Sequence, residues 1–378
     1  MLNQKYLFNI YAILALIAIA IALPVTLDEL DRLKKVSDFI ENGILDMKWP
    51  PGSLFIPFLS KILGQDYLFA RLVGVTAFLI SFLLLIKKYK LNLNNFSYIK
   101  YIFVPFIGLV VSTSMQQGLM IILFNLIIIN YERKLFSILL LNLLYLTNPA
   151  MIGILLLTTI FIHIFTVIDK TELRKLMQIF FGSFALWLLI VMTYFLITHD
   201  FLLSMSNNGP GNLFLGNNPH PRSFFGVAEV ANLDLFNGEG ISKGKELFIN
   251  YVSNNPTDFL IGIFAKFLLF FLPIDYLRDS SMLVSLALQF VALSIDISLI
   301  YIFFRNRSIL FKNEYLDKLK IIVCIYISAA IVYSLFFVKI RFSIPFDYLI
   351  MILLPYLETH KNTLQRSFVK YKPRGESY

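Results

Sequence analysis

The sequence predicts an all-α fold, a polytopic transmembrane helical bundle of about ten spans. Three observations predict it. Of the 378 residues 58% are hydrophobic and only 15% charged. Several uninterrupted apolar runs exceed what a soluble core helix needs, and Lys and Arg gather in short segments between them. No internal repeat or low-complexity linker is visible, so the chain reads as one domain over 1–378.

The first run, 6–25, resembles a signal peptide. Its apolar region is too long for one, and only Lys5 precedes it, so it reads as a retained span. Further apolar stretches fall at 67–86, 98–114, 117–130, 135–147, 149–168, 176–198, 257–273, 282–304, 319–338 and 342–357. As one helix, 98–130 would be about 48 Å long against a hydrocarbon core of about 30 Å, so it must turn, at Ser112 to Gly118. The run 135–168 breaks at Asn148-Pro149, where proline removes a donor and disfavours helix in the residue before it.

Eleven spans from a cytoplasmic N-terminus would place Arg305, Arg307, Lys312, Lys318 and Lys320 outside, along with the basic tail from Lys361 to Arg374. Laying 257–273 along the outer interface, where Lys266 suits a surface helix, returns both groups to the cytoplasm. Ten spans then hold 20 of the 33 Lys and Arg on the cytoplasmic side. This asymmetry accounts for the net charge of +9 without nucleic acid, for which no soluble basic domain exists. Cys324 lies inside an apolar run, which excludes a disulfide framework and a cysteine metal site.

Two outer segments remain, 26–66 and 199–281, and they hold 15 of the 24 acidic residues. Chemistry is therefore expected outside. Asp28 and Glu29 follow the first span and precede an amphipathic helix, Leu30 to Glu41, with Leu30, Leu33, Val36 and Ile40 on one face. They either cap that helix or serve as carboxylates held at the membrane surface. Lys48 and Trp49, ahead of Pro50-Pro51-Gly52, offer a cation and a stacking surface, though prolines at a helix start are ordinary. Asn217, Asn218, His220 and Arg222 stand in a stretch rich in Gly, Asn and Pro. It serves equally as a plain loop or as an amide-rich surface for hydroxylated ligands. Arg341, before the last span, either snorkels to the interface or clamps a phosphate. Asp296 lies mid-span with its role open. The histidines lack ligand spacing, and neither a Gly-rich phosphate loop nor a serine elbow is present.

These motifs in this order resemble the GT-C superfamily of polytopic glycosyltransferases, the group that includes protein O-mannosyltransferases and aminoarabinose transferases. The resemblance runs through Asp28-Glu29, a helix ending in Gly43, Pro50-Pro51 leading to Gly64, and Ala70-Arg71-Leu72. It continues in Gly216 to Pro219, Asn255-Pro256 leading to Lys266, and Arg341-Phe342-Ser343-Ile344-Pro345. Phe342 stands where the family has tyrosine, and Trp49 separates Lys48 from the prolines. The resemblance implies an inverting transfer from a polyprenyl-phosphate-linked sugar to a hydroxyl of a glycan, lipid or protein, at the outer face of a prokaryotic cytoplasmic membrane. Asp28, with Glu29 beside it, would accept the acceptor's proton. Arg341, then Lys266, Arg222 and Lys48, would hold the departing phosphate. Trp49, Asn217, Asn218 and His220 would contact the sugar or acceptor. The scheme needs no metal and no cofactor. The rivals are a lipid-linked sugar flippase or transporter built on Asp296 and the Asn148-Pro149 break, and a membrane polysaccharide polymerase.

Overall fold

The computed structural model describes residues 27–43, 49–64, 67–91, 107, 115–164, 170–198, 208–220, 223, 239–271, 293, 297, 304, 313–336, 342–353 and 355–356, with side chains at all of these except 27–28, 115, 208–210, 239–241 and 313–319. Every element among them is helical, as the composition predicts.

Helix α1, Leu27–Asn42, buries Leu33 and Val36 as expected. Its inner face is completed by Glu29 and Arg32, while Leu30 and Ile40 are about half exposed (50% and 48%). The buried stripe is thus rotated toward two charged residues. Gly43 ends the helix at φ +70°, its amide donating to the Phe39 carbonyl at 2.9 Å. This left-handed cap is open to glycine without steric cost. Pro50 leads into a single 3-10 turn, Pro51–Leu54, and then α2, Phe55–Ile62, where a second left-handed glycine, Gly64 at φ +68°, closes the element. Helix α3, Tyr67–Tyr89, follows.

Helices α4, Met115–Asn130, α5, Lys134–Thr147, α6, Ala150–Ile164, and α7, Lys170–Thr198, come next. The break expected at Asn148-Pro149 is present, with Asn148 extended at φ −144° and ψ 99°. The Asn148 side chain repairs the broken ladder: its Oδ1 accepts from the Ala150 amide at 3.2 Å and its Nδ2 donates to the Tyr333 hydroxyl at 2.7 Å. The turn expected at Ser112 to Gly118 falls partly outside the described residues, and α4 begins within it. The remaining helices are α8, Asn208–Gly216, α9, Glu239–Asn254, α10, Pro256–Phe270, α11, Asn313–Ser334, and α12, Phe342–Leu353.

The core forms where α4, α5, α6, α7, α11 and α12 meet, around Met120, Leu144, Ile154, Trp187, Ala329 and Phe346. A chain of stacked rings runs through it, Phe270 on Tyr333 at 5.8 Å and Tyr333 on Phe342 at 4.9 Å. Polar contacts also cross the apolar interior. Tyr348 donates to Asn125 at 2.7 Å and Asn125 to Ser81 at 3.0 Å, which ties α12, α4 and α3 together. Interhelical bonds of this kind contribute on the order of 1 kcal/mol each.

The helix ends sort into two groups. At one end, Tyr89 donates to the Ile128 carbonyl at 2.8 Å, Lys88 to the Ile129 carbonyl, Tyr131 to Glu172 at 2.9 Å, and Lys175 pairs with Glu132 at 2.5 Å. Segments 87–90, 131–134 and 170–175, all rich in Lys and Arg, therefore converge. The opposite end collects the 3-10 turn, the Asn148-Pro149 corner, α8 and the last turn of α11. Among the described residues two helices, α3 and α7, are long and apolar enough to cross a membrane, and α4, α5, α6, α12 and the apolar part of α11 are shorter apolar helices.

Candidate functional site at one end of the bundle

Glu29 and Arg71 meet at that second end. Arg71 Nε reaches Glu29 Oε1 at 2.6 Å and its Nη2 reaches Oε2 at 2.8 Å, with both side chains at 0% exposure. This fork geometry fixes the first turn of α1 against the first turn of α3 in two directions at once. Glu29, expected as the partner of Asp28 in catalysis, is thereby corrected to an anchor, because both its oxygens are engaged out of reach of solvent. Asp28 stands one residue earlier in the same turn, and its side chain lies outside the described residues. Arg71 was read only as part of a motif, since its partner lies 42 positions away.

Beside this pair, Trp49 donates its indole N–H to Asp31 at 2.6 Å, and the Arg32 guanidinium lies 4.1 Å over its ring. The stacking surface offered by Trp49 is therefore shared on one face with a cation. Asp31 and Arg32 did not figure among the expected site residues. A signal was available: Arg32 falls three residues after Glu29, and so on the same helical face as Leu33 and Val36, where a charge has no bland reason to be.

The Pro50-Pro51-Gly52 turn seats this cluster on the rest of the bundle. A Cβ at Gly52 would stand 2.7 Å from the Thr147 amide nitrogen and 2.8 Å from the Leu146 carbonyl carbon. Only glycine allows the turn to touch the end of α5. Across that corner, Asn148 binds Tyr333 on α11, and three residues on, Phe336 meets Lys266.

Lys266, expected on a helix lying along the outer interface, is wholly buried against protein. Its Nζ donates to the carbonyls of Gly216 at 3.0 Å and Phe336 at 2.8 Å and to Asn217 Oδ1 at 2.7 Å. Three ammonium protons meet three oxygens, so α8, α10 and the end of α11 are latched by one side chain. Burial pushes the Lys266 pKa down, to about 7, while the three acceptors favour the protonated form. Helix α10 turns Lys266 inward and Leu260, Ile261, Phe264 and Leu268 outward. It enters the core by its last turn, Phe270.

Asn217 uses its amide in the same latch, donating at 2.8 Å to both Leu213 and Leu335 carbonyls. Asn218 caps α8 through the Phe214 and Leu215 carbonyls, at 3.0 and 2.9 Å, and accepts the His220 amide at 2.9 Å. These amides hold the turn in shape around a half-buried His220. Lys48, Arg222, Arg341 and Asp296 lie outside the described residues. Among the described residues no three of His, Cys, Asp and Glu come together.

Comparison with known proteins adds no relative: no family model, no curated protein and no solved structure matches the chain.

Proposed function

We propose that the chain is an integral-membrane inverting glycosyltransferase that moves a sugar from a polyprenyl-phosphate donor to an acceptor hydroxyl on the extracytoplasmic face. The observation that carries this reading is the buried Glu29–Arg71 fork. It holds the first turn of α1, in which Asp28 stands one residue before Glu29, at the bundle end remote from the Lys and Arg segments. Trp49 and Arg32 lie beside that turn, an aromatic face and a cation suited to a sugar ring and a phosphate.

In the mechanism, Asp28 takes the proton from the acceptor hydroxyl as its oxygen attacks the anomeric carbon. The glycosyl C–O bond to phosphate breaks, and polyprenyl phosphate leaves with the bonding pair. General-base help of this kind contributes about 10² to 10⁴ in rate. Cations stabilise the leaving phosphate, with Arg341 as the first choice because planar guanidinium donates two parallel bonds. Lys266 is the weaker choice, because its three protons already have acceptors.

The test is an assay of the purified full chain with a panel of polyprenyl-phosphate sugars, scored for product and its anomeric configuration. Asp28→Asn should abolish transfer while donor binding persists, because the change is isosteric. Transfer within tenfold of the unaltered protein removes Asp28 as the base, and retention of configuration removes the single-displacement mechanism.

A further inference from the structure

Toward the other end, a cavity of about 180 Å³ lies between α4, α5, α6, α7, α11 and α12. Its walls are hydrocarbon, including Phe124, Leu141, Leu144, Met151 and Ile325. The four hydroxyls that reach it are committed elsewhere: Tyr131 donates to Glu172, Ser137 to the Asn130 carbonyl, Thr158 to the Ile154 carbonyl and Thr159 to the Leu155 carbonyl. Water would find no partners inside, and dry apolar cavities of about 150 Å³ take up hydrocarbon instead. Ile127, Ile128, Tyr131, Leu173 and Leu176 in its wall are only half-buried, so the cavity reaches the surface.

That opening lies under the basic end. Tyr131 lines the cavity and also carries the Lys175 ammonium 4.2 Å over its ring. Arg133, Lys134 and Arg174 are exposed on the same turns. Segments 87–90, 131–134 and 170–175 together hold eight Lys and Arg against Glu132 and Glu172. A cationic rim above a hydrocarbon slot is complementary to a phosphate carrying a long alkyl chain.

We infer that this is a binding site for an anionic phospholipid, with one acyl chain in the cavity and the phosphate on the rim formed by Lys134, Arg174 and Lys175. The inference rests on the membrane location in the reading above and not on sugar transfer. Its test reads lipid binding, so it fails or stands apart from any glycosyltransferase assay.

The full chain, purified in mild detergent, is titrated with phosphatidylglycerol, phosphatidylcholine and polyprenyl phosphate, following thermal unfolding and lipid retention by native mass spectrometry. Phosphatidylglycerol should bind at least tenfold more tightly than phosphatidylcholine. Thr159→Phe, which fills the cavity, should abolish retention of both phospholipids. Lys134→Ala combined with Arg174→Ala should erase the preference between headgroups while leaving chain binding. Equal binding of the two phospholipids by the unaltered chain overturns the inference, and so does retention of polyprenyl phosphate in place of phosphatidylglycerol. Unchanged phosphatidylglycerol retention in a folded Thr159→Phe protein overturns the cavity as the chain site. The comparison on the unaltered chain decides the matter even where a variant fails to fold.

Discussion

Glu29 and Arg71 are each fully buried, and neither charge would be tolerable there alone. Removing one partner strands the other, at a cost of about 3–5 kcal/mol, whereas replacing both with matched neutral groups is often close to neutral. Arg71→Met should therefore lower the thermal midpoint in detergent steeply, and adding Glu29→Gln should recover most of the loss. A double variant no more stable than Arg71→Met would show that the two residues are not coupled. The sequence made the acidic pair at 28–29 conspicuous, yet could not say that Glu29 faces inward, because that depends on an arginine from another helix. The same holds for Lys266. Its three acceptors are two backbone carbonyls and one amide oxygen, from α8 and from the turn after α11, and backbone groups leave no trace in a residue pattern.

At the scale of elements, the local signals were legible and the reasons for them only partly so. Gly43 and Gly64 end their helices in left-handed conformations, as glycines after an amphipathic run should. Asn148-Pro149 breaks its run where the backbone has lost a donor. Gly52 is different: it sits in the Pro-Pro turn without positive φ, and it is required by the end of α5, a contact no local rule foresees. The contrast gives a prediction. Gly52→Ala pushes a methyl group into backbone at 2.7 Å, an overpacking that costs about 1–3 kcal/mol. Gly43→Ala meets open space and incurs only left-handed strain, about 1–2 kcal/mol. The two should also differ in kind. Asparagine, which tolerates φ > 0, should rescue much of the loss at Gly43 and worsen it at Gly52, as thermal unfolding of the four variants would show. Equal rescue at both sites would mean the turn does not press on α5.

At the scale of the whole molecule, the alternation of helix ends is the property that the site reading depends on. The large apolar side chains of α7 and α10, among them Leu189, Leu196, Ile197, Leu260 and Phe264, point away from the core. Such surfaces suit lipid and would aggregate in water. Ile321 and Cys324, two to three turns into α11, pack with Ile162, Leu173 and Leu176 at the end of α6 and the start of α7, so α11 starts at the basic end. Helix α10 instead joins the latch at the opposite end through Lys266 and runs from there along α11 as far as Phe271 on Tyr326, ring centroids 5.3 Å apart, and the expected span at 282–304 lies outside the described residues apart from 293, 297 and 304. In a Cys324→Ser background, an impermeant thiol reagent should then label Asn237→Cys on intact cells and Asn313→Cys only after the membrane is opened. Labelling of Asn313→Cys from outside would make 257–273 a full span and place the basic end outside, with the Lys266 latch and the Asp28 turn together on the cytoplasmic side. Transfer on the extracytoplasmic face would then be ruled out.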